Sequence, residues 1–227
     1  MEENFRVPRP TSETLDHSTN PSWRVFRIMA EFVDGFQFLT HFKKSVSIFG
    51  SAQLTPDSDH YKDAQRLARM LGEVGFTIIT GGGPGIMEAA NRGGSEAQVP
   101  SVGLNIQLPM EQRTNPFVNR AIGFHYFFTR KVMLSASSQA YVFFPGGLGT
   151  LNEFFEITTL IQTNKIERTP VVIIGKDYWA PLFEWLKKAT TQQHRMMKEA
   201  DLSIWQMVDT VEEAFEIVKN SGERGLF

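Results

Sequence analysis

The sequence predicts an α/β fold of the Rossmann-like type, a mostly parallel, doubly wound sheet with helices on both faces. Short apolar runs alternate with amphipathic stretches from Lys44 onward, and strands that are buried on both faces have this continuous apolar character. Two glycine-rich loops, 81–85 and 145–149, each directly follow such a run. Because ligands bind at the carboxyl ends of parallel strands, we expect both loops at one ligand-binding edge.

The elements are predicted from hydrophobic spacing along the chain. The strands are the continuous apolar runs, at 45–50, 76–80, 101–106, 124–128, 141–144 and 170–175. The helices are the stretches with apolar residues at helical spacing or with helical character, at 23–42, 59–74, from the loop 81–85 to about Asn91, 129–137, 149–164, 179–190 and 210–220. The segment 107–120, which contains two prolines, is predicted to be a long loop.

The chain divides into three parts. Residues 1–20 are polar with two prolines and are expected to form a flexible arm. Residues 21–42 form a helical extension, and 43–227 a single Rossmann-like domain. The many aromatic residues of the extension indicate that it lies on the main body or on a second copy of the chain, so we expect a homodimer or a higher oligomer.

Composition excludes several classes of function. The 227 residues carry 23 Lys+Arg against 25 Asp+Glu, which gives no global basic field for duplex nucleic acid. The absence of cysteine excludes disulfides, thiolate catalysis and Cys-ligated metals. The five histidines show no metal-ligand spacing, so no metal is expected. With neither an apolar signal region nor a run of membrane-spanning length, we expect a cytoplasmic protein that does not bind a membrane.

The loop 145–149 and the helix that follows it contain the strongest functional signal. A strand that ends in glycine-rich backbone at a helix N-terminus is a phosphate-binding arrangement, with Gly146, Gly147, Gly149 and Thr150 as candidate contacts. Glu153 lies three residues after Thr150, on the same face of that helix. An acid is unexpected if the site only binds an anion, but it fits chemistry on the sugar that carries the phosphate.

The loop 81–85 contributes Gly82, Gly83 and Gly85 as further candidate phosphate contacts. It lacks the third glycine of a dinucleotide fingerprint, since Glu88 stands at that position, and no Walker-type motif occurs in the chain. A tight strand-to-helix turn is the simpler interpretation of this loop alone. Two such loops at one sheet edge favour phosphate.

Three more residues are expected at the same edge. Arg130 follows the predicted strand 124–128 and offers a planar fork to phosphate or ribose oxygens. Lys131 beside it is a further candidate substrate or phosphate contact, with an electrostatic or structural rather than a catalytic role. Ser51 ends the first strand, where it either contacts a base or ribose or simply belongs to a turn.

With these residues assembled, the chain resembles the LOG (Lonely Guy) family, long labelled "lysine decarboxylase". The resemblance covers about 44–220, and its marks are 81–93, the pair Arg130-Lys131, and 145–153. The last segment matches the family pattern Pro-Gly-Gly-x-Gly-Thr-x-x-Glu at every fixed position. The chain departs from plant members at Asn152, where they usually carry Glu, and this departure concerns substrate preference.

The resemblance implies a nucleoside 5′-monophosphate phosphoribohydrolase that splits AMP or a cytokinin nucleotide into free base and ribose 5-phosphate, without a cofactor. Arg130 and Glu153 match the family's catalytic pair, and the helix 21–42 looks like the extension of a bacterial subgroup. Three alternatives stay open at this stage. They are a non-catalytic nucleotide sensor of the same fold, a pyridoxal-phosphate decarboxylase, for which only Lys131 is placed, and an NAD oxidoreductase.

Overall fold

The computed structural model describes residues 21–107 and 114–222, so the arm predicted at 1–20 lies outside the described residues. Within these ranges, all strands join one parallel sheet. In chain order the strands are β1 (Ser45–Phe49), β2 (Thr77–Thr80), β3 (Ser101–Ile106), β4 (Arg120–Phe124), β5 (Ala140–Phe143), β6 (Val171–Ile174) and β7 (Trp205–Val208). They lie in the order β4-β3-β2-β1-β5-β6-β7.

The helices of the described residues alternate with the strands. They are α1 (Pro21–Leu39), α2 (Asp59–Glu73), α3 (Ile86–Glu96), α4 (Phe127–Ala136), α5 (Leu148–Gln162), α6 (Lys176–Trp185) and α7 (Val211–Val218). A π-helical segment, Leu186–Gln193, continues α6, and a 3-10 helix, Glu199–Ser203, precedes β7. No helix within the described ranges is long and apolar enough to cross a membrane.

Two hydrophobic cores lie on opposite faces of the sheet. Along β5 and its end, Tyr141 and Phe143 join the core beneath α1, α4, α5 and α6, while Val142 and Phe144 join the core beneath α2, α3 and α7. Side chains alternate between the two faces of a strand, so a strand covered on both sides is apolar at every position. This confirms the predicted doubly wound α/β class and explains the continuous apolar runs.

The order of the strands reverses at the centre of the sheet. The chain passes outward from β1 through β2 and β3 to β4, then returns to place β5 on the other side of β1. The pairing of β1 with β5 sets Phe49 opposite Phe143, so their carboxyl ends lie side by side. In open α/β sheets this switch point is where the ligand crevice forms.

Both edge strands differ from the sequence prediction. The predicted strand 124–128 is wrong, since β4 ends at Phe124 and the chain enters α4 at Phe127. β4 instead begins inside the predicted loop 107–120, and β7 was not predicted at all. Edge strands are covered on fewer sides, and both have largely exposed or half-buried residues. Their sequences therefore lack the continuous apolar run that marks the inner strands.

Helix α3 also extends beyond its predicted end near Asn91, to Glu96. Its glycine pair at 93–94 serves close packing. A Cβ at Gly93 would lie 2.1 Å from the carbonyl oxygen of Gln65 on α2, and one at Gly94 would lie 2.8 Å from Ile78 on β2. The missing side chains let α3 approach both neighbours.

Candidate active site

A cleft of about 940 Å³ opens at the switch point of the sheet. The turn after β1 lines it with Ser51, and α4 contributes Arg130. The start of α5 supplies a third wall, the segment 147–153 with the side chains of Thr150 and Glu153. Three segments that are distant in sequence thus meet at the carboxyl ends of β1 and β5.

Hydrogen bonds of the Ser51 backbone join the turn after β1 to the two glycine-rich loops, 81–85 and 145–149. The Ser51 N–H donates to the Pro145 carbonyl oxygen (2.9 Å), and the Ser51 carbonyl accepts from the Ile86 N–H (3.0 Å). The close approach requires glycine at two positions. A Cβ at Gly146 would lie 2.1 Å from Thr150 Oγ1, and one at Gly85, whose φ is +69°, would lie 2.3 Å from the Ser51 carbonyl oxygen.

The predicted site residues fall into two groups. Those that line the cleft are Ser51, Arg130, Gly147, Gly149, Thr150 and Glu153. Those that lie behind its wall are Gly82, Gly83, Gly85, Lys131 and Gly146, and the four glycines of this group are buried. The second group shapes and supports the cleft.

The loop 81–85 shows what this supporting role involves. The Gly82 N–H donates to Thr80 Oγ1 (2.9 Å). The carbonyl oxygens of Gly82 and Gly83 accept from the N–H and the Nδ2 of Asn115 (2.9 and 3.0 Å). These backbone groups are engaged inside the protein, so the loop is held in place by its own polar network.

Glu153 is the most perturbed group of the site. Its side chain is buried, with the residue 8% exposed, and its Oε2 has no hydrogen-bond partner among the described residues. Burial first, and the neighbouring Glu156 second, raise the pKa of Glu153 to about 7, against the opposing effect of Arg130 and Lys131. The carboxyl can therefore exchange a proton near neutral pH, which is typical of a catalytic acid or base.

Arg130 faces this carboxyl from α4. Its Nε–H donates to the carbonyl oxygen of Leu104 in β3 (2.6 Å), which fixes the guanidinium in the cleft. Burial lowers the pKa of Arg130, and the charge of Glu153 opposes that change. A Cβ at Gly81 would lie 2.3 Å from Arg130 Nη2, so Gly81 provides the room for the guanidinium. The sequence prediction missed this role of Gly81.

Lys131 forms an ion pair with Glu156, with Nζ 2.6 Å from Oε2 and both side chains about a quarter exposed (23% and 24%). The pair places one positive and one negative charge beside Glu153.

A decarboxylase function would require a lysine in the cleft, because pyridoxal phosphate is held as a Schiff base by a lysine. No lysine of the described ranges lines the cleft, so the residues present do not fit that cofactor.

The apolar part of the cleft was also missed from the sequence. It includes Phe127, Leu148 and Phe155, which are 58%, 86% and 39% exposed. Phe127 belongs to the run that was predicted to be a strand, and the other two lie in α5, where apolar residues first indicate core packing. Exposed apolar side chains at a cleft rim suit a flat, weakly polar ligand group.

A parallel doubly wound sheet, with a glycine-rich helix start and a buried acid–arginine pair at its switch point, defines a Rossmann-like protein with a small-molecule site. A family model described as "Possible lysine decarboxylase" matches residues 87–218, more than half of the chain. The chain belongs to this family, which is the LOG family that its motifs resemble.

Two curated relatives carry names of one activity. A "Probable cytokinin riboside 5′-monophosphate phosphoribohydrolase" of Oryza sativa subsp. japonica is 30% identical over 151 residues, which cover 64% of this chain and 60% of the relative. A "Cytokinin riboside 5′-monophosphate phosphoribohydrolase" of Rhodococcoides fascians is 28% identical over 68 residues, 30% of this chain and 34% of the relative. The chain thus spans less than two thirds of the length of each.

Solved structures share the fold at lower identity. The molybdenum cofactor carrier protein of Chlamydomonas reinhardtii superposes with a TM-score of 0.59 at 22% identity, covering 78% of this chain and 96% of the other. The molybdenum cofactor binding protein of Rippkaea orientalis gives 0.57 at 23% identity with the same coverage. These likenesses establish the fold, and function has to be argued from the site.

Proposed function

We propose that the protein hydrolyses the N-glycosidic bond of a nucleoside 5′-monophosphate, either AMP or a cytokinin riboside monophosphate, to free base and ribose 5-phosphate. The observation that carries the proposal is the buried Glu153 carboxyl, which has an unpartnered oxygen and faces Arg130 in the switch-point cleft. Family membership and the names of both curated relatives support the same activity.

The phosphate binds at the start of α5. The first hydrogen bond of this helix runs from the Leu151 N–H to the Gly147 carbonyl oxygen (3.1 Å), so the N–H groups of Leu148, Gly149 and Thr150 precede it. Such N–H groups and the helix dipole favour an anion. Gly147 and Gly149 are exposed and have no side chain that would obstruct the phosphate.

The chemistry takes place one helical turn further along, at Glu153. Breaking the bond between the anomeric carbon and the base develops positive charge on the ribose. The Glu153 carboxylate stabilises that charge and accepts a proton from the attacking water, whose oxygen bonds to the anomeric carbon. The electron pair of the broken bond leaves with the base, which takes up a proton.

Arg130 anchors the ribose or phosphate and favours the ionised form of Glu153, whose pKa its charge lowers. Holding the remote phosphate supplies binding energy that orients the anomeric carbon against the acid. The base lies against the apolar rim of Phe127, Leu148 and Phe155.

The test is a panel of nucleoside monophosphates, with nucleosides and triphosphates as controls, followed for free base by chromatography. Glu153→Ala and Arg130→Ala are expected to fold and still to bind AMP detectably, but to release base at least about 10³-fold more slowly. Turnover close to that of the wild type in both variants would refute the mechanism.

A second candidate is a non-catalytic nucleotide-binding module. It is favoured by one observation, that proteins named as molybdenum cofactor carriers share this fold. Against it stands Glu153, since an ionisable acid weakens the binding of an anion. AMP binding by the wild type with no adenine released on long incubation would favour this candidate.

We also propose that the chain self-associates as a homodimer or a higher assembly. Helix α1 exposes a stripe of apolar side chains at helical spacing, Trp23, Phe26, Met29 and Val33, each more than half exposed. Light scattering of the purified protein is expected to give at least twice the mass of one chain, and Val33→Asp is expected to lower it. A monomeric wild type would overturn the proposal.

A further inference from the structure

The helical extension contacts the helix that carries Arg130, and the contact is polar. Glu31 of α1 lies more than ninety residues before α4 in sequence, yet its carboxylate reaches the start of that helix. Its Oε1 accepts from the His125 N–H (2.8 Å), while Oε2 accepts from the Thr129 hydroxyl (2.5 Å) and, at a longer 3.4 Å, from the Tyr126 N–H. One carboxylate therefore contacts three donors at one helix start.

The start of α4 is supported locally by the stacked rings of Tyr126 and Phe128, 5.4 Å between centroids, and by the Thr129 hydroxyl, 2.8 Å from the Tyr126 carbonyl oxygen. Its N-cap residue, Tyr126, makes no side-chain cap hydrogen bond. Its first two residues, Phe127 and Phe128, are 58% and 46% exposed, so the first turn buries little apolar surface. N–H groups at a helix start carry partial positive charge and are stabilised by a carboxylate. Glu31 supplies from another helix an acceptor for the two N–H groups directly ahead of the first turn, those of His125 and Tyr126.

The packing of α1 keeps this carboxylate close. Gly35 lies one turn after Glu31 on the same face of α1, and a Cβ there would lie 2.6 Å from Met133 Sδ of α4 and 3.2 Å from the Phe124 ring. The missing side chain lets the two helices approach closely. Arg24 adds a cation–π contact, with its guanidinium carbon 5.7 Å from the centre of the Tyr126 ring.

Arg130 directly follows Thr129, which the Glu31 carboxylate contacts. Its N–H donates to the Tyr126 carbonyl oxygen (3.3 Å), and its Nε–H donates to the Leu104 carbonyl oxygen (2.6 Å). The side chain is thus fixed to β3, whereas the backbone that carries it depends on the first turn of α4. Movement of that turn would shift the guanidinium relative to Glu153, and small displacements at a reacting centre have large effects on rate.

We propose that Glu31 is a positioning residue for catalysis, which holds Arg130 in place by fixing the start of α4 to the helical extension. The inference rests on the proposed function, because that reaction assigns Arg130 its role. Glu31 itself does not line the cleft.

The experiment compares Glu31→Ala and Glu31→Gln with Asp34→Asn, which removes a charge from an exposed position of the same helix. Glu31→Ala is expected to lower kcat/KM for base release about 10- to 100-fold, mainly through kcat. Glu31→Gln keeps one side-chain oxygen for the His125 N–H and is expected to fall between Ala and wild type. Asp34→Asn is expected to change kcat/KM less than about 2-fold.

A double-mutant cycle separates positioning from general stability. If Glu31 acts through Arg130, Glu31→Ala lowers activity in the wild type but adds no further loss in the Arg130→Ala background. A loss of the same size in both backgrounds, or Glu31→Ala activity equal to that of Asp34→Asn, would overturn the proposal. If Glu31→Ala does not fold, the same cycle is read with Glu31→Gln.

The proposal can be tested even if the wild type releases no base, which would be the failure of the proposed function. The readout is then the NMR signal of the Arg130 Nε–H, which is expected to exchange slowly with solvent in the wild type and in Asp34→Asn. Faster exchange in Glu31→Ala, with α5 amides unaffected, supports positioning. Unchanged exchange in that variant would refute it.

Discussion

Replacing Glu153 with glutamine removes a buried charge while keeping the size and shape of the side chain. Burial first, and the charge of Glu156 second, raise the pKa of Glu153 from 4.5 to about 7, so the folded protein holds this proton more tightly than the unfolded chain. The resulting stabilisation is complete below about pH 4.5 and is lost as the pH rises to about 7. Above about pH 7, the free energy of unfolding is lower by about 3 kcal/mol than it is with Glu153 protonated, because each unit of pKa difference corresponds to about 1.36 kcal/mol.

Glutamine carries no charge at any pH. Glu153→Gln is therefore expected to be more stable than the wild type by up to about 3 kcal/mol near pH 8.5, and about equally stable near pH 4.5. For a chain of 227 residues, this corresponds to a rise in Tm of roughly 6–12 °C at the higher pH. The measurement is thermal unfolding by circular dichroism at both pH values.

The control is Glu184→Gln, which removes a charge from an exposed position of α6. It is expected to change Tm little at either pH. If the gain in Tm of Glu153→Gln is no larger near pH 8.5 than near pH 4.5, then ionisation of Glu153 does not destabilise the folded protein. That result would remove the physical argument for its role, because the charge needed by the reaction is the charge that destabilises the fold.

Two further predictions concern the surroundings of this acid. Glu156→Gln removes the negative charge that raises the pKa of Glu153, so the acid limb of the kcat/KM profile, expected at about pH 7 in the wild type, should move to lower pH. A midpoint that stays in place or moves upward contradicts the electrostatic account. Gly81→Ala would place a Cβ 2.3 Å from Arg130 Nη2, so base release should fall at least about 10-fold while Tm changes little. Gly222→Ala, with no atom within 4 Å of the added Cβ, is the control, and equal activity of the two variants would argue against a fixed guanidinium.

The inner part of the sheet could be predicted because its strands are covered on both faces. Continuous apolar runs placed β1, β2, β3, β5 and β6 to within one or two residues. The edge strand β4 was misplaced because its residues are mostly exposed, while the aromatic run that was taken for a strand contains Phe127 at a cleft rim. An aromatic side chain that lines a site and one that fills a core look alike in sequence.

The site shows the same division between local and distant information. The segment 145–153 carries the helix start and the acid in one local motif, so Glu153, Thr150 and the glycine loop could be found directly. The positions whose role depends on a distant neighbour could not. Gly81 accommodates Arg130, and Glu31 accepts hydrogen bonds at the start of α4 from another helix, and neither role leaves a pattern in the nearby sequence.

The fold class and the family could be inferred from the chain alone, and Glu153 and Arg130 singled out as candidates, because hydrophobic period, glycine loops and motif spacing are local properties of the sequence. Which glycines face the cleft, which ones support its wall, and how far the pKa of Glu153 is raised depend on the folded arrangement. Burial and charge proximity arise where the end of β1, α4 and α5 meet in space. The spacing of residues along one segment does not predict these contacts between distant segments.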